Sequence, residues 1–121
     1  MQAGLGTDVP MRGSSLCGLG AYGNIFAIES FMNELADKNS DDSFEFRERH
    51  PLDSRALDGL RRLKDEVHWD RRPKAGSGIG WGLAFARFKN LSSYLGIVMQ
   101  LRVDRETNAI ELIKATVDGM M

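Results

Sequence analysis

Residues 81–119 read WGLAFARFKNLSSYLGIVMQLRVDRETNAIELIKATVDG, and the period of two in this stretch decides the fold class. Trp81, Leu83 and Phe85 alternate with Gly82, Ala84 and Ala86, as side chains do along a strand. In the next segment Leu95, Ile97, Met99, Leu101 and Val103 point one way, and Tyr94, Gly96, Val98, Gln100 and Arg102 the other. Asp104 to Asn108 is a hairpin connection of common length. The return strand sets Ile110, Leu112, Lys114 and Thr116 against Ala109, Glu111, Ile113, Ala115 and Val117. The Leu95 set is the more apolar side of the middle strand, so it is the side expected to need a cover.

Upstream the period is helical. From Tyr22, the residues Ile25, Ile28, Met32 and Leu35 fall on one face, and Phe26 and Phe31 widen it. Only Glu29, Asn33 and Glu34 form a polar stripe, so this helix is expected to be mostly buried and to cover the sheet. Asp42 and Glu45 have the spacing of a capping box for a short helix that Phe44 would pin to the core. His50-Pro51 stops that helix, because proline disfavours helical geometry in the residue before it. Asp53 can cap a third helix, with Leu57, Leu60, Leu63 and Val67 on its buried side and Arg55, Arg61, Arg62, Asp65 and Glu66 largely in water. Gly59 weakens it by about 1 kcal/mol relative to alanine.

The expected architecture is α+β: three helices followed by a three-stranded antiparallel β-meander, with the helices packed on one face of the sheet. It reads as a single partial domain over residues 1–121, with a glycine-rich lead-in at 1–21, a helical part at 22–73 and the meander at 76–118.

Composition narrows the function. Sixteen basic and 17 acidic residues give a formal net charge of −1, which removes the electrostatic case for nucleic acid or an anionic membrane. Arg71, Arg72 and Lys74 beside Pro73 read as a solvated linker. The single cysteine, Cys17, excludes an internal disulfide framework and any CxxC motif. Compartment stays open, the cytoplasm by default with a periplasmic parent allowed. The N-terminal residues have no basic segment followed by an apolar core, and no apolar run approaches the roughly 18 residues of a membrane span.

Few residues offer chemistry. His50 and His68 sit at helix ends, lack the i, i+4 spacing of a zinc helix, and read as surface or capping residues. The glycines of GSGIGWG, 76–82, open a strand rather than a helix, so they fail the context of a dinucleotide motif. Neither Asp41-Asp42 nor Asp65-Glu66 is placed for acid–base work. No catalytic residue and no metal ligand is assigned. The loop Cys17-Gly18-Leu19-Gly20 runs directly into the first helix, where glycine allows close backbone approach and free N–H groups can face an anion or oxo group.

In this order, SLCGLGAYGNIFAIESFMNELA (15–36), FEFRERHPLDSRA (44–56) and the stretch from Leu83 to Gly119 resemble an internal piece of a known subunit type. It is the large, molybdopterin-binding subunit of the xanthine dehydrogenase and aldehyde oxidase family, in its isoquinoline 1-oxidoreductase β form. The resemblance implies an intact enzyme that hydroxylates N-heterocycles or aldehydes oxidatively at molybdenum. Its electrons leave through an iron–sulfur subunit or domain. In that family an Arg-Gly-Phe-Gly segment lies beside the cofactor. Gly18 and Gly20 match its glycines, Leu19 replaces the aromatic residue, and Cys17 stands where the arginine would be. Gly18, Leu19 and Gly20 are therefore the implied cofactor contacts, whereas a thiol cannot supply the fixed cation and five donors of arginine.

The resemblance ends near Gly119. The family's asparagine-proline-rich and glutamine-glycine segments, and the glutamate that acts as general base, lie beyond it. The expectation is an inactive fragment that binds no cofactor alone, whose partners are the remainder of the molybdopterin subunit and an iron–sulfur subunit. Isolated, it is expected to form a homodimer. The other reading is a stand-alone, non-catalytic α+β binding module that uses its sheet face or its glycine loop.

Overall fold

The computed structural model describes residues 20–50, 53–74, 76–88 and 93–120. Helices α1 (Ala21–Lys38), α2 (Ser43–Glu48) and α3 (Ser54–Val67) precede a 3-10 turn at Trp69–Arg71. Strands β1 (Ile79–Phe88), β2 (Ser93–Val103) and β3 (Ile110–Met120) follow. The sheet is antiparallel in the order β1-β2-β3, with a register shift in β2–β3 at Gln100/Leu101. The α+β meander expected from the sequence is what forms.

Local signals account for the boundaries. The Asp42 side chain accepts from the Phe44 amide at 2.9 Å and so starts α2. Asp53 accepts from the Ala56 amide at 2.9 Å and starts α3. His68 ends α3 in the left-handed region, at φ 53°. In the β2–β3 turn the Asp104 carboxylate accepts from the Glu106 amide at 2.8 Å, and Asn108 turns the chain at φ 57°. Hydrogen bonds from the Glu106 and Thr107 amides hold the Asp104 carboxyl below its ordinary value.

The core lies between α3, α2 and one face of the sheet. Phe44, Leu60, Leu63, Val67, Trp69, Leu83 and Val98 form it, with Trp81 and Phe85 packed against them. Trp69 meets the edge of Phe44 at 4.9 Å between ring centres. Leu60 and Leu63 are fully buried, so truncating either to alanine would cost about 2–5 kcal/mol.

The buried side of β2 is the side opposite the one expected. Tyr94 and Val98 are buried, whereas Leu95 and Met99 are exposed. The reason lies at Gly96: a Cβ there would sit 2.8 Å from Leu63 Cδ2, so the missing side chain is what lets α3 approach. On β1 the register puts Leu83 and Phe85 beside Val98 and Gly96, supplying the large side chains for the same face. The cover is α3, and the Leu95 set faces outward.

The burial expected for α1 is also corrected. Ala36 is its only buried residue, while Tyr22 (81% exposed), Phe26 (74%), Ile28 and Phe31 face outward. Instead of covering the sheet, α1 runs beside β1 and caps its edge. Glu29 Oε2 accepts from the Phe85 amide at 2.7 Å, and Asn33 Nδ2 donates to the Leu83 carbonyl at 3.2 Å. Four residues of helix rise about 6 Å and two residues of strand about 6.7 Å, so side chains at i and i+4 match alternate groups of an edge strand. Arg47, 3% exposed, locks the arrangement by donating to Glu29 Oε2 at 2.7 Å, Asn33 Oδ1 at 3.1 Å and the Ser43 carbonyl at 3.0 Å. The polar stripe is thus a structural joint, and the β1 edge of the sheet is capped at Leu83 and Phe85.

Two further carboxylates tie the helices down. Asp42 accepts from Trp69 Nε1 at 2.7 Å and pairs with Arg72 at 2.8 Å, so Arg72 belongs to the fold rather than to a solvated linker. Burial pushes the Asp42 carboxyl up, but these bonds together with the Phe44 and Glu45 amides outweigh it and leave it below its ordinary value. The Ala56 amide, the Tyr94 hydroxyl and Arg87 likewise lower Asp53. Both groups release their protons more readily folded than unfolded. Their contribution is therefore complete above the ordinary value of 3.8 and lost as pH falls through the lowered folded values. A urea midpoint measured from pH 7 downward should hold until about pH 4 and then drop. Asn at both positions should flatten that drop, and an unchanged acid limb in the double variant would show that other groups cause it.

Candidate functional site

The implied cofactor loop enters α1 at Gly20. Of Gly18, Leu19 and Gly20, only Gly20 lies within the described residues; Cys17, Gly18 and Leu19 lie outside them. Gly20 is the N-cap residue at φ −67° and ψ −16°, and its carbonyl accepts the Asn24 amide at 3.0 Å. No side chain caps this end and no acidic residue lies in the first turn. The nearest atom to a Cβ at Gly20 would be Asn24 Nδ2 at 3.8 Å, so crowding does not demand glycine there. The described geometry therefore covers only the last of the three implied contacts.

Among the described residues, several titratable groups are engaged in structure. The Tyr94 hydroxyl donates to Asp53 Oδ2 at 2.8 Å, which raises the phenol's pKa, and Arg55 lies 4.8 Å over the Tyr94 ring. This cluster joins the start of α3 to β2. His50 Nδ1 lies 2.6 Å from the Phe46 carbonyl, and His68 is exposed in its helix cap. Lys64, Asp65, His68, Asp70 and Arg71 line a mixed-charge hollow at the end of α3. Among the described residues, no group of three or more His, Cys, Asp or Glu could hold a metal ion. No helix among them is long and apolar enough to cross a membrane.

The surface that stands out is the uncovered face of the sheet. Register places Gly82, Ala84 and Ala86 of β1 beside Met99, Ile97 and Leu95 of β2. Across β2 lie Ala115 and Val117, and beyond the bulge Leu101 and Val103 meet Leu112 and Ile110. Gly82, Ala84, Ile97, Met99 and Leu101 line a shallow apolar depression there. Charged residues occupy the other side: Arg102 pairs with Glu111 at 3.1 Å, and Arg62 of α3 reaches Asp118 at 3.2 Å. The alternation marked this set as a face needing cover. Strand periodicity alone gives no sign of which side the chain's own helices take.

No family model matches the chain. Over 127 aligned positions it is 29% identical to a nicotinate dehydrogenase subunit of Pseudomonas putida. The alignment takes in 92% of this chain and 11% of that protein, so the chain spans about a ninth of its curated relative. The similarity supports the resemblance read from the sequence at the level of the broad class, a subunit of an oxidoreductase.

Proposed function

We propose that this chain is a scaffold segment of the large, molybdopterin-binding subunit of an oxidoreductase that hydroxylates N-heterocycles or aldehydes, of the isoquinoline 1-oxidoreductase type. The observation that carries the reading is the alignment of 92% of the chain with a much longer dehydrogenase subunit. In the whole enzyme the cofactor would supply the redox chemistry. Gly18, Leu19 and Gly20 would present backbone to it at the start of α1, and this chain's sheet and helices would form packing around the pocket. The partners of such a segment are the remainder of its own subunit and an iron–sulfur subunit. On its own the chain is inactive and pairs with a second copy of itself.

The test is direct. Purified chain, expressed in a host that makes molybdopterin, should carry no molybdenum above background. It should reduce no dye acceptor with nicotinate, quinoline or an aldehyde as donor. Near-stoichiometric molybdenum, or turnover, would overturn the reading.

One observation favours a stand-alone binding module instead. Phe44, Leu60, Leu63 and Val98 are enclosed entirely by this chain's own elements. Sequencing the transcript beyond codon 121 separates the two: continuation into glutamine-glycine segments supports the oxidoreductase subunit, and a stop supports the module.

A further inference from the structure

We propose that a second copy of this chain closes the uncovered sheet face, packing face to face about a two-fold axis. The proposal rests on the expectation that the isolated chain pairs with itself, and it assigns the surface that does so.

The first argument is chemical. Register places Leu95, Ile97, Met99 and Leu101 of β2 on this face, with Leu112 and Val117 of β3 on one flank and only glycine and alanine of β1 on the other, and none of these is charged. The solvated face of an antiparallel sheet is normally polar, and a large uncharged patch marks a surface that meets another one. An uncharged face also has nothing with which to select a partner of particular charge.

The second argument is size. Leu95, Met99, Val103, Ile110, Leu112, Ile113 and Val117 are each 40–70% exposed, at or beside this face. Together they amount to roughly 600 Å² per copy, against about 800 Å² per partner in a standard stable interface and about 300–600 Å² for the largest apolar patch of an ordinary monomer. The half-buried Ile97 and Leu101 add to that area.

Shape points the same way. Glycine and alanine at 82, 84 and 86 leave β1 low on this side, and the larger side chains of β2 and β3 rise beside it. A two-fold contact must be self-complementary, and here the high strands of one copy can lie in the low strip of the other. Aligned sheets pack in this manner about 10 Å apart. The joint of Glu29, Asn33 and Arg47 obstructs growth through the β1 edge, and a two-fold contact through the face closes at two copies because it uses the same patch on both.

Light scattering coupled to size exclusion, over a hundredfold dilution of the full chain, reads the assembly. The parent should show the mass of two chains at high loading. Met99→Lys and Leu112→Lys should keep the parent's circular dichroism and run as one chain. By symmetry each charge is buried twice, raising the dimer dissociation constant at least about a hundredfold. Glu66→Lys, on the exposed side of α3, should leave the dimer intact.

A parent that is monomeric throughout would sink self-pairing itself and leave the face to a different protein segment. A parent dimer that survives both lysine changes would keep self-pairing and overturn this surface. Should the variants unfold, peroxide oxidation of Met99 in the unaltered chain decides the matter. It should slow as the dimer fills, and an unchanged rate would refute the proposal.

Discussion

Arg47→Ala is expected to remove about 3–5 kcal/mol of folding stability, a large part of the roughly 5–15 kcal/mol that a domain commonly has. The guanidinium is 3% exposed and its Nη2 lies 2.7 Å from Glu29 Oε2, which also accepts the Phe85 amide. Alanine leaves that carboxylate partly buried without its cation and takes the guanidinium donor away from Asn33 Oδ1 and the Ser43 carbonyl. The loss exceeds the net worth of the pair, because stranding a buried charge costs more than the pair gained by forming. Removing both partners should therefore hurt less than the two single losses added together. Urea titrations of Arg47→Ala, Glu29→Ala and the double variant give the coupling, expected above about 1 kcal/mol. A single-variant loss below that figure would mean that α1 is not held to the β1 edge by this joint.

That joint shows where the sequence stops being legible. Caps and stops could be read because each depends on residues a few positions apart: Asp42 and Asp53 start α2 and α3, and His68 ends α3. The hairpin was readable for the same reason. By contrast, Glu29 and Asn33 look like an ordinary solvated stripe until the edge of β1, more than 50 positions further on, is placed beside them. Nothing local distinguishes a polar pair that faces water from one that imitates a neighbouring strand. Arg47 offered a weak signal, an arginine next to Phe46 in a six-residue helix too short to keep both faces wet.

Hydropathy behaved differently. It identified apolar faces correctly and their covers incorrectly. Tyr22, Phe26, Ile28 and Phe31 give α1 an apolar surface, and the chain's own sheet does not bury it. A pattern of apolar residues records that a surface leaves water somewhere, with no information on whether the cover belongs to the same chain. The same holds for the loop at 17–20, where the glycine pattern carries the resemblance while the described geometry begins only at Gly20.

Two adjacent aspartates give the sharpest test of which face the helices cover. Val98→Asp is expected to cost upwards of 4 kcal/mol and to leave little folded protein at 25 °C, while Ile97→Asp costs about 1 kcal/mol or less in the monomer. Val98 is 1% exposed, with Leu83 and Thr116 beside it and α3 above, so a carboxylate there has neither water nor a cation. Ile97 is partly exposed on the uncovered side, where its carboxylate stays hydrated. Sequence alternation alone argues the reverse, because the Leu95 set holds the larger apolar residues and Val98 sits in a row with a glycine and a glutamine. What fits the observed assignment is Gly96, whose missing side chain leaves the space that Leu63 of α3 fills. Ile97→Asp should also lower the mass of the assembled protein, because a carboxylate on the two-fold face would meet its own copy. Thermal melts in dilute protein report the fold separately from that loss. If Ile97→Asp unfolds there as readily as Val98→Asp, the helices lie on the opposite side of the sheet.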